Sequence, residues 1–326
     1  MKLRDVIAIG MFAVCGFAMA QGGATGVPDS PGAAQTPASP FPPVNAKFFT
    51  ATTPTVATVD AFLRAIWGYD ENRIWQVAAI QKTPAPGVSK VTVFVSEKTA
   101  ARGQVQTTQF FITPDGKHAI ADAVIDFGAT PFADTRKLMQ ERANGPWRGA
   151  AGKELELVEF ADMQCPHCKD AQVTMDQLVR DFPNAHVVFQ AYPLTDIHPF
   201  AFKAAAYGVC VAKTSNAAFF QYAQAVFDTQ ESLTTEMNQQ ALNAAVQKAG
   251  GDPVAVGTCA ESAATKDAVN ASIHVAEDAG VDQTPMLAIN GHLVPIGAMA
   301  YETLKKIVAY QAGLDGVATG AVAAKP

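Results

Sequence analysis

Two cysteines separated only by Pro166 and His167 constrain this chain more than any other feature. In the segment ELELVEFADMQCPHCKDAQ, Cys165 and Cys168 follow the mainly apolar run LELVEF after the four residues ADMQ and stand at the start of a helical pattern. The apolar run predicts a strand. Proline is well suited to the first turn of a helix, where its missing N–H would have no partner in any case. The residues therefore predict a strand, a turn and then a helix with Cys165 at its N-terminus.

The next elements extend this motif to a β-α-β unit. Apolar residues recur at helical spacing from Pro166 to about Phe182, and a second strand is predicted from His186 to Tyr192. If the two strands are parallel, the crossover between them is right-handed. The fold class predicted for this part of the chain is α/β.

The helix N-terminus gives Cys165 a specific chemistry. Unpaired backbone N–H groups and the positive end of the helix dipole favour a thiolate over a thiol, and a protonated His167 would act in the same direction. A stable thiolate is a good leaving group, so the reduced pair is stabilised relative to the disulfide. The motif therefore indicates a couple that passes its disulfide readily to other thiols.

Other uses of a CxxC pair fit this sequence less well. Zinc sites usually need a second ligand pair of similar spacing, whereas Cys210 and Cys259 are isolated from each other, so we expect no metal. Covalent haem attachment needs histidine directly after the second cysteine, and Lys169 stands there. An inert disulfide staple remains open, although it does not explain why a strand and a helix flank the pair.

The N-terminus predicts export. The sequence MKLRD is followed by an apolar run that closes on Ala18-Met19-Ala20, the layout of a signal peptide with cleavage near Ala20 and a periplasmic or otherwise exported product. The formal net charge of -6 disfavours a nucleic-acid partner. Without Cys15, which lies in the signal peptide, four cysteines remain and allow three pairings. The short gap makes Cys165 with Cys168 the easiest loop to close, which would leave Cys210 with Cys259.

Composition divides the mature chain into segments. A flexible Pro/Gly/Ala-rich linker is predicted at 21–46, because it has too few apolar residues to offset its conformational entropy. The pattern then predicts a helix capped by Thr58, four extended runs and a second helix, which together form a small α+β domain at 47–145. An α/β domain follows at 150–312, with a helical region at about 199–279, and a disordered tail is expected at 313–326.

The segment EFADMQCPHC resembles the active site of the DsbA-type thiol:disulfide oxidoreductases, which have the thioredoxin-like fold. The resemblance extends over roughly Lys153 to Gln311. It implies that Glu159 is a buried acid below the active site and tunes the thiols or carries protons. It also implies that Thr284 and Pro285 form a cis-proline loop beside the cysteines, where the Thr284 backbone pairs with an extended substrate segment.

The same resemblance assigns the remaining parts of the second domain. The helical region at 199–279 is then an insertion in the thioredoxin-like core, and Cys210 and Cys259 form a second, non-catalytic disulfide. No cofactor is expected other than the redox-active disulfide of Cys165 and Cys168. Implied partners are unfolded or folding exported proteins and a membrane redox protein that recycles the couple.

The domain at 47–145 leaves the direction of exchange open. An α+β domain before a thioredoxin-like domain resembles the layout of the DsbC and DsbG disulfide isomerases, in which the first domain dimerises. The acidic CPHC environment favours an oxidase, whereas this layout favours an isomerase that acts as a homodimer. A chaperone that binds unfolded chains is the third alternative.

Overall fold

The computed structural model describes residues 39–100, 104–121 and 124–318, which divide after Pro131 into two units. Among the described residues, the first unit contains one α-helix and five strands: α1 (Val56–Trp67), β1 (Arg73–Lys82), β2 (Ser89–Glu97), β3 (Gln106–Ile112), β4 (His118–Ile120) and β5 (Val124–Asp126). The helices of the second unit are α2 (Ala133–Arg142), α3 (Pro166–Asp181), α4 (Ala201–Ala212), α5 (Asn216–Asp228), α6 (Asn238–Lys248), α7 (Pro253–Ala260), α8 (Ala263–Asp278) and α9 (Tyr301–Leu314). Its strands are β6 (Trp147–Gly149), β7 (Leu155–Ala161), β8 (Ala185–Ala191), β9 (Met286–Ile289) and β10 (His292–Pro295).

Helix α1 covers the sheet of the first unit. Its cap is Thr55, whose side chain accepts a hydrogen bond from the Thr58 backbone N–H, so the predicted cap at Thr58 is wrong by one turn. The apolar face of α1 is buried, and the ring of Phe62 packs against those of Phe110 and Phe127 at centroid distances of 6.0 and 4.8 Å. Full burial of one such side chain stabilises a fold by about 1.5–3 kcal/mol.

The sheet of the first unit is an antiparallel meander in the order β1-β2-β3-β4-β5. The run KHAIADAVIDF, predicted as one extended segment, forms two short strands, with His118 opposite Asp126 and Ile120 opposite Val124. The prediction of a single strand is wrong because a period-two pattern is the same in both arms of a tight hairpin and does not show where the chain reverses.

The second unit is built on the central strand β7. The sheet order is β10-β9-β7-β8-β6, and β7 runs parallel to β8 from Leu155 opposite Ala185 to Ala161 opposite Ala191. This pairing confirms the predicted β-α-β unit. Every residue of β7 is buried, as expected for a strand with helices on both faces of its sheet. The short edge strand β6 carries no sequence pattern that would have predicted it.

Helix α2 belongs to the second unit, although the sequence placed it at the end of the domain at 47–145. Its Met139 is 1% exposed and lies in one apolar cluster with Phe160 of β7 and Val275 of α8. The division of the chain therefore lies before α2, at Pro131, instead of at Asn144. A Pro/Gly turn signal marks the end of a helix but does not show which core the helix joins.

Five helices, α4 to α8, lie between β8 and β9 and extend from Ala201 to Asp278. A disulfide joins Cys210 of α4 to Cys259 of α7, the pairing that the resemblance implies. Helix α4 packs against α5, α7 and α8, so it lies at the centre of this group.

The C-terminal hairpin turns where the sequence predicts, at Asn290 and Gly291. Both residues have positive φ, 45° and 89°, the conformation that a two-residue turn of this hand requires. Gly291 could not be replaced without strain, because an added Cβ would lie 2.4 Å from the backbone nitrogen of Arg136. Asp315 accepts hydrogen bonds from Asn290 and pairs with Arg136, so the chain is ordered beyond Gln311 and α9 extends into the segment predicted as tail.

The predicted signal peptide at 1–20, most of the predicted linker at 21–46 and the last eight residues of the predicted tail lie outside the described residues. None of the helices in the described part of the chain is long and apolar enough to cross a membrane.

Replacing both Cys210 and Cys259 by serine should lower the free energy of unfolding of the second unit by about 4 kcal/mol, because the bond closes a loop with a sequence separation of 49. Urea unfolding followed by circular dichroism measures this difference. The matched control is the double serine variant of Cys165 and Cys168, which leaves that disulfide intact. Equal urea midpoints for the disulfide variant and the wild type would contradict the prediction.

Candidate active site at the start of helix α3

The loop between β7 and α3 presents Cys165. Asp162 begins this turn: its side chain accepts a hydrogen bond from the Gln164 backbone N–H at 2.7 Å, and its carbonyl accepts one from Cys165 N–H at 3.1 Å. Cys165 is the N-cap of α3, and Pro166 occupies the first turn as predicted. The Cys168 backbone N–H donates to the Cys165 carbonyl at 3.1 Å and closes the first turn.

The two thiols have different environments. Both are free in this structure; Cys165 is 5% exposed, whereas Cys168 is 0% exposed. A hydrogen bond from Cys168 lowers the pKa of Cys165 to about 5, with further hydrogen bonds from Thr284 and from the backbone N–H groups of Cys168 and His167. Burial raises the pKa of Cys168 well above its ordinary value. Cys165 is therefore the more acidic thiol of the pair, and Cys168 is the more deeply buried one.

His167 contributes to the site through its backbone. Its side chain is exposed, and its backbone N–H is one of several groups whose hydrogen bonds lower the pKa of Cys165. The effect of a protonated side chain stays a prediction. Pro166 is also exposed, so the dipeptide between the cysteines forms part of the surface beside the pair.

Thr284 and Pro285 lie beside the cysteines. The peptide bond between them is cis, and the Cys165 Sγ is 3.7 Å from the Thr284 carbonyl oxygen, to which the thiol donates. The Pro285 carbonyl accepts a hydrogen bond from the Ile296 N–H at 3.3 Å. A Cβ at Gly297 would lie 3.4 Å from Pro285 and 3.6 Å from the Cβ of His167, so Gly297 lies next to both residues.

Glu159 is buried on the face of β7 that lies against α3. It is 1% exposed, and its Oε1 accepts a hydrogen bond from the Gln172 side chain at 2.8 Å. The same Gln172 nitrogen donates to the Cys168 carbonyl at 3.1 Å, so one amide connects the acid to the CPHC turn. Burial raises the pKa of Glu159 to about 7, although the nearby Arg148 charge and the Gln172 hydrogen bond oppose this rise.

Glu156 of β7 is buried as well as Glu159. Glu156 is 2% exposed and pairs with Lys153 at 2.9 Å, while Glu154 is exposed. Both faces of β7 are covered by helices, so inward and outward positions of the strand are buried alike.

Several residues of the site were missed in the sequence. Asp162 is fully buried and accepts hydrogen bonds from the Leu194 backbone N–H and from His198 Nδ1, both at 2.8 Å. Gln172 is also buried. The available signal for Gln172 was a polar residue on the apolar stripe of α3, one helical turn after Cys168. Asp162 carried no local signal, because its partner His198 is 36 residues away in the sequence. The sequence suggests a structural or capping role for His198, and its contact with Asp162 agrees with that role.

The disulfide of Cys210 and Cys259 lies within the helical insertion and shares no hydrogen bond with the CPHC turn among those that the described residues make. Thr265 contacts both of its sulfurs, at 3.5 and 3.7 Å. The two cysteine pairs are therefore separate structural features of one unit.

A comparison with family models matches residues 141–309, just over half of the 326-residue chain, to the family described as thioredoxin. The match spans the CPHC turn, the helical insertion and the loop at Thr284 and Pro285. It confirms the thioredoxin-like fold that the sequence predicted.

Similar solved structures cover about half of this chain. They include a periplasmic thioredoxin-like protein from Salmonella enterica serovar Typhimurium (22% identity, 55% of this chain and 96% of that one, TM-score 0.47). The thiol-disulfide exchange protein alpha-DsbA2 from Wolbachia pipientis (22%, 54% and 94%, TM-score 0.46) and BdbD from Bacillus subtilis (16%, 52% and 93%, TM-score 0.47) are also similar.

Curated relatives match a shorter stretch. The Na(+)/H(+) antiporters NhaA 1 from Salinispora arenicola and NhaA 3 from Salinispora tropica are 40% identical over 54 residues and 38% identical over 58 residues. These stretches are 17% and 18% of this chain, and the chain spans less than a tenth of the length of either relative.

The hydrogen bond from Cys168 predicts the behaviour of the Cys165 thiolate. In the reduced protein, the ultraviolet absorbance of the thiolate should titrate with a pKa of about 5. Cys168→Ala should raise this pKa, because the hydrogen bond that lowers it most is removed. Cys165→Ala is the control and should abolish the step. A wild-type step at the ordinary thiol pKa would contradict the prediction.

The raised pKa of Glu159 predicts a pH-dependent stability. Because its folded pKa of about 7 lies above the ordinary 4.5, the stability carried by the protonated carboxyl is complete below pH 4.5 and is lost as the pH rises through 7. Glu159→Gln removes this loss and should stabilise the fold at pH 8 by up to about 3 kcal/mol relative to its effect at pH 4.

Urea unfolding at both pH values measures this effect, with Cys165 and Cys168 replaced by serine in every variant so that no active-site thiol titrates. The exposed Glu154→Gln is the matched control and should show no such pH dependence. An equal effect of Glu159→Gln at pH 4 and pH 8 would contradict the prediction.

Proposed function

Because this chain belongs to the thioredoxin family, we propose that it is an exported thiol:disulfide oxidoreductase whose Cys165–Cys168 disulfide oxidises folding protein substrates. The observation that carries the proposal is the asymmetry of the pair: Cys165 has a pKa of about 5, while the pKa of the buried Cys168 is well above its ordinary value. A thiol whose thiolate is stable leaves readily from a mixed disulfide, which makes the disulfide form an oxidant.

The exchange proceeds in two steps. A substrate thiolate attacks the Cys165 sulfur, the bond between Cys165 and Cys168 breaks, and Cys168 takes the electron pair and then a proton. A second substrate thiolate attacks the substrate sulfur of the mixed disulfide and releases Cys165 as a thiolate. The substrate thereby loses two electrons to the cysteine pair, and no cofactor other than this pair is required.

Thr284, Pro285 and Glu159 have supporting roles in this proposal. The Thr284 backbone next to Cys165 would pair with an extended substrate segment, which binds many sequences because main-chain groups are common to all of them. Glu159, with a pKa of about 7, would accept and return the Cys168 proton through water, while the Gln172 amide connects its carboxyl to the Cys168 carbonyl. The disulfide of Cys210 and Cys259 would have a structural role.

The proposed setting is an exported compartment, where disulfides persist. The partners would be unfolded or folding exported proteins and a membrane redox protein that reoxidises the pair. The first unit would serve for substrate binding or for the formation of a homodimer, and solution mass measures the second of these.

An isomerase is the alternative, because the chain has a second folded unit, with α1 packed on a five-stranded sheet, in addition to the thioredoxin-like unit. An isomerase acts through reduced Cys165, which attacks wrong disulfides, whereas an oxidase acts through the disulfide form. A scrambled substrate that has no free thiols therefore distinguishes them: only an isomerase restores it, and only when the protein is supplied reduced.

The oxidised protein should convert the thiols of a reduced, unfolded substrate to disulfides, and its cysteine pair should be more oxidising than glutathione. Equilibration with glutathione, followed by mass spectrometry of the trapped thiols, measures the potential. The double serine variant of Cys165 and Cys168 is the control and should be inactive. A potential of about −270 mV, the value for thioredoxin, would contradict the proposal that this protein acts as an oxidase.

The same double variant tests the chaperone alternative. If wild type and variant suppress aggregation of an unfolded substrate equally, binding is a function independent of exchange. If the wild type catalyses no exchange at all, the proposed enzyme activity is wrong.

A further inference from the structure

The reactive loop, residues 162–165 between β7 and α3, is held by the helical insertion through the side chain of Gln230. This residue begins the short 3-10 turn between α5 and α6. Its Nε2 donates to two carbonyl oxygens of the reactive loop, those of Met163 and Cys165, each at 2.9 Å. Gln230 is 65 residues from Cys165 in the chain, so this contact exists only because the insertion folds back onto the loop.

A second glutamine makes the reverse connection. Gln164, in the reactive loop, donates from Nε2 to the Leu233 carbonyl at 3.2 Å and accepts at Oε1 from the Phe200 backbone N–H at 2.8 Å. Gln164 and Gln230 are both half-buried, and together their amides make four hydrogen bonds between the loop and the insertion. Each segment therefore satisfies backbone groups of the other.

We propose that Gln230 is a positioning residue for Cys165, which keeps the first turn of α3 in the geometry that stabilises the Cys165 thiolate. The inference rests on the proposed function and adds a part to it. The Cys165 carbonyl accepts from the N–H groups of Cys168 at 3.1 Å and Lys169 at 3.3 Å, and Gln230 is its third donor. Gln230 thus fixes the peptide group that carries the reactive cysteine.

The surroundings of the Gln230 side chain require a hydrogen-bond donor such as its amide. Both atoms that face the Gln230 nitrogen are carbonyl oxygens, so the position requires a donor. A carboxylate there would be repelled by both oxygens and would bring a negative charge close to the thiolate. A methionine would have similar length and no donor, whereas a lysine would keep N–H donors and add a positive charge.

These differences predict that substitutions of Gln230 change the pKa of Cys165 in different directions. Gln230→Glu should raise the pKa of Cys165 and shift the glutathione equilibrium about tenfold toward the protein disulfide, since one pKa unit corresponds to a factor of ten. Gln230→Met should raise the pKa by less. Gln230→Lys should leave the pKa at or below the wild-type value. General destabilisation does not produce this order.

The experiment measures three quantities on the full chain: the pH titration of thiolate absorbance, the glutathione equilibrium and the thermal unfolding temperature. The matched controls are Gln247→Glu, Gln247→Met and Gln247→Lys, at an exposed position of α6 within the same insertion. These controls should leave the pKa of Cys165 at the wild-type value.

A Cys165 pKa that is the same in Gln230→Glu as in Gln247→Glu would overturn the proposal, and so would a fall in unfolding temperature without a change in that pKa. If Gln230→Glu does not fold, Gln230→Met decides: a Cys165 pKa that is the same in Gln230→Met as in Gln247→Met would overturn the proposal. Failure of the proposed function is separate: a wild-type protein that exchanges no disulfide refutes the enzyme, while the thiolate titration still tests the role of Gln230.

Discussion

A thiolate that is almost completely buried requires hydrogen-bond donors in place of water, and this requirement organises the second unit. Cys165 is 5% exposed, yet its pKa is about 5, because hydrogen bonds from Cys168 and from the start of α3, together with the neighbouring Thr284, favour its thiolate. These groups come from elements far apart in sequence. The end of β7, the start of α3 and the loop before β9 must therefore all meet at the Cys165 sulfur.

Two buried acids flank this centre and are accommodated differently. Asp162 uses both of its oxygens, which accept hydrogen bonds from Gln164, Leu194 and His198, so its carboxylate orders the reactive loop and the segment after β8. Glu159 has one hydrogen bond, from Gln172, and desolvation raises its pKa to about 7. The first acid is suited to holding structure, whereas the second is suited to exchanging a proton.

The sequence predicted the parts of the site that follow from local pattern or from a motif. The helix start at Pro166, the β-α-β unit and the turn at Asn290 and Gly291 each have a short-range physical cause. The CPHC motif and the Thr284-Pro285 pair were recognised through their likeness to a known family. The separation of α2 from the first unit was missed, because helical spacing shows that a face is buried but not what buries it.

The contacts that could not be predicted are those between segments without a pattern. Gln164, Gln230 and Asp162 are ordinary polar residues in loops, and their importance comes from backbone groups that approach them only after folding. Since a loop that ends in a buried thiolate leaves its own carbonyl and N–H groups to be satisfied, some other segment must supply the partners. In this chain the helical insertion supplies these partners. The geometry of Cys165 therefore depends on a part of the fold that lies far from the CPHC motif in the sequence.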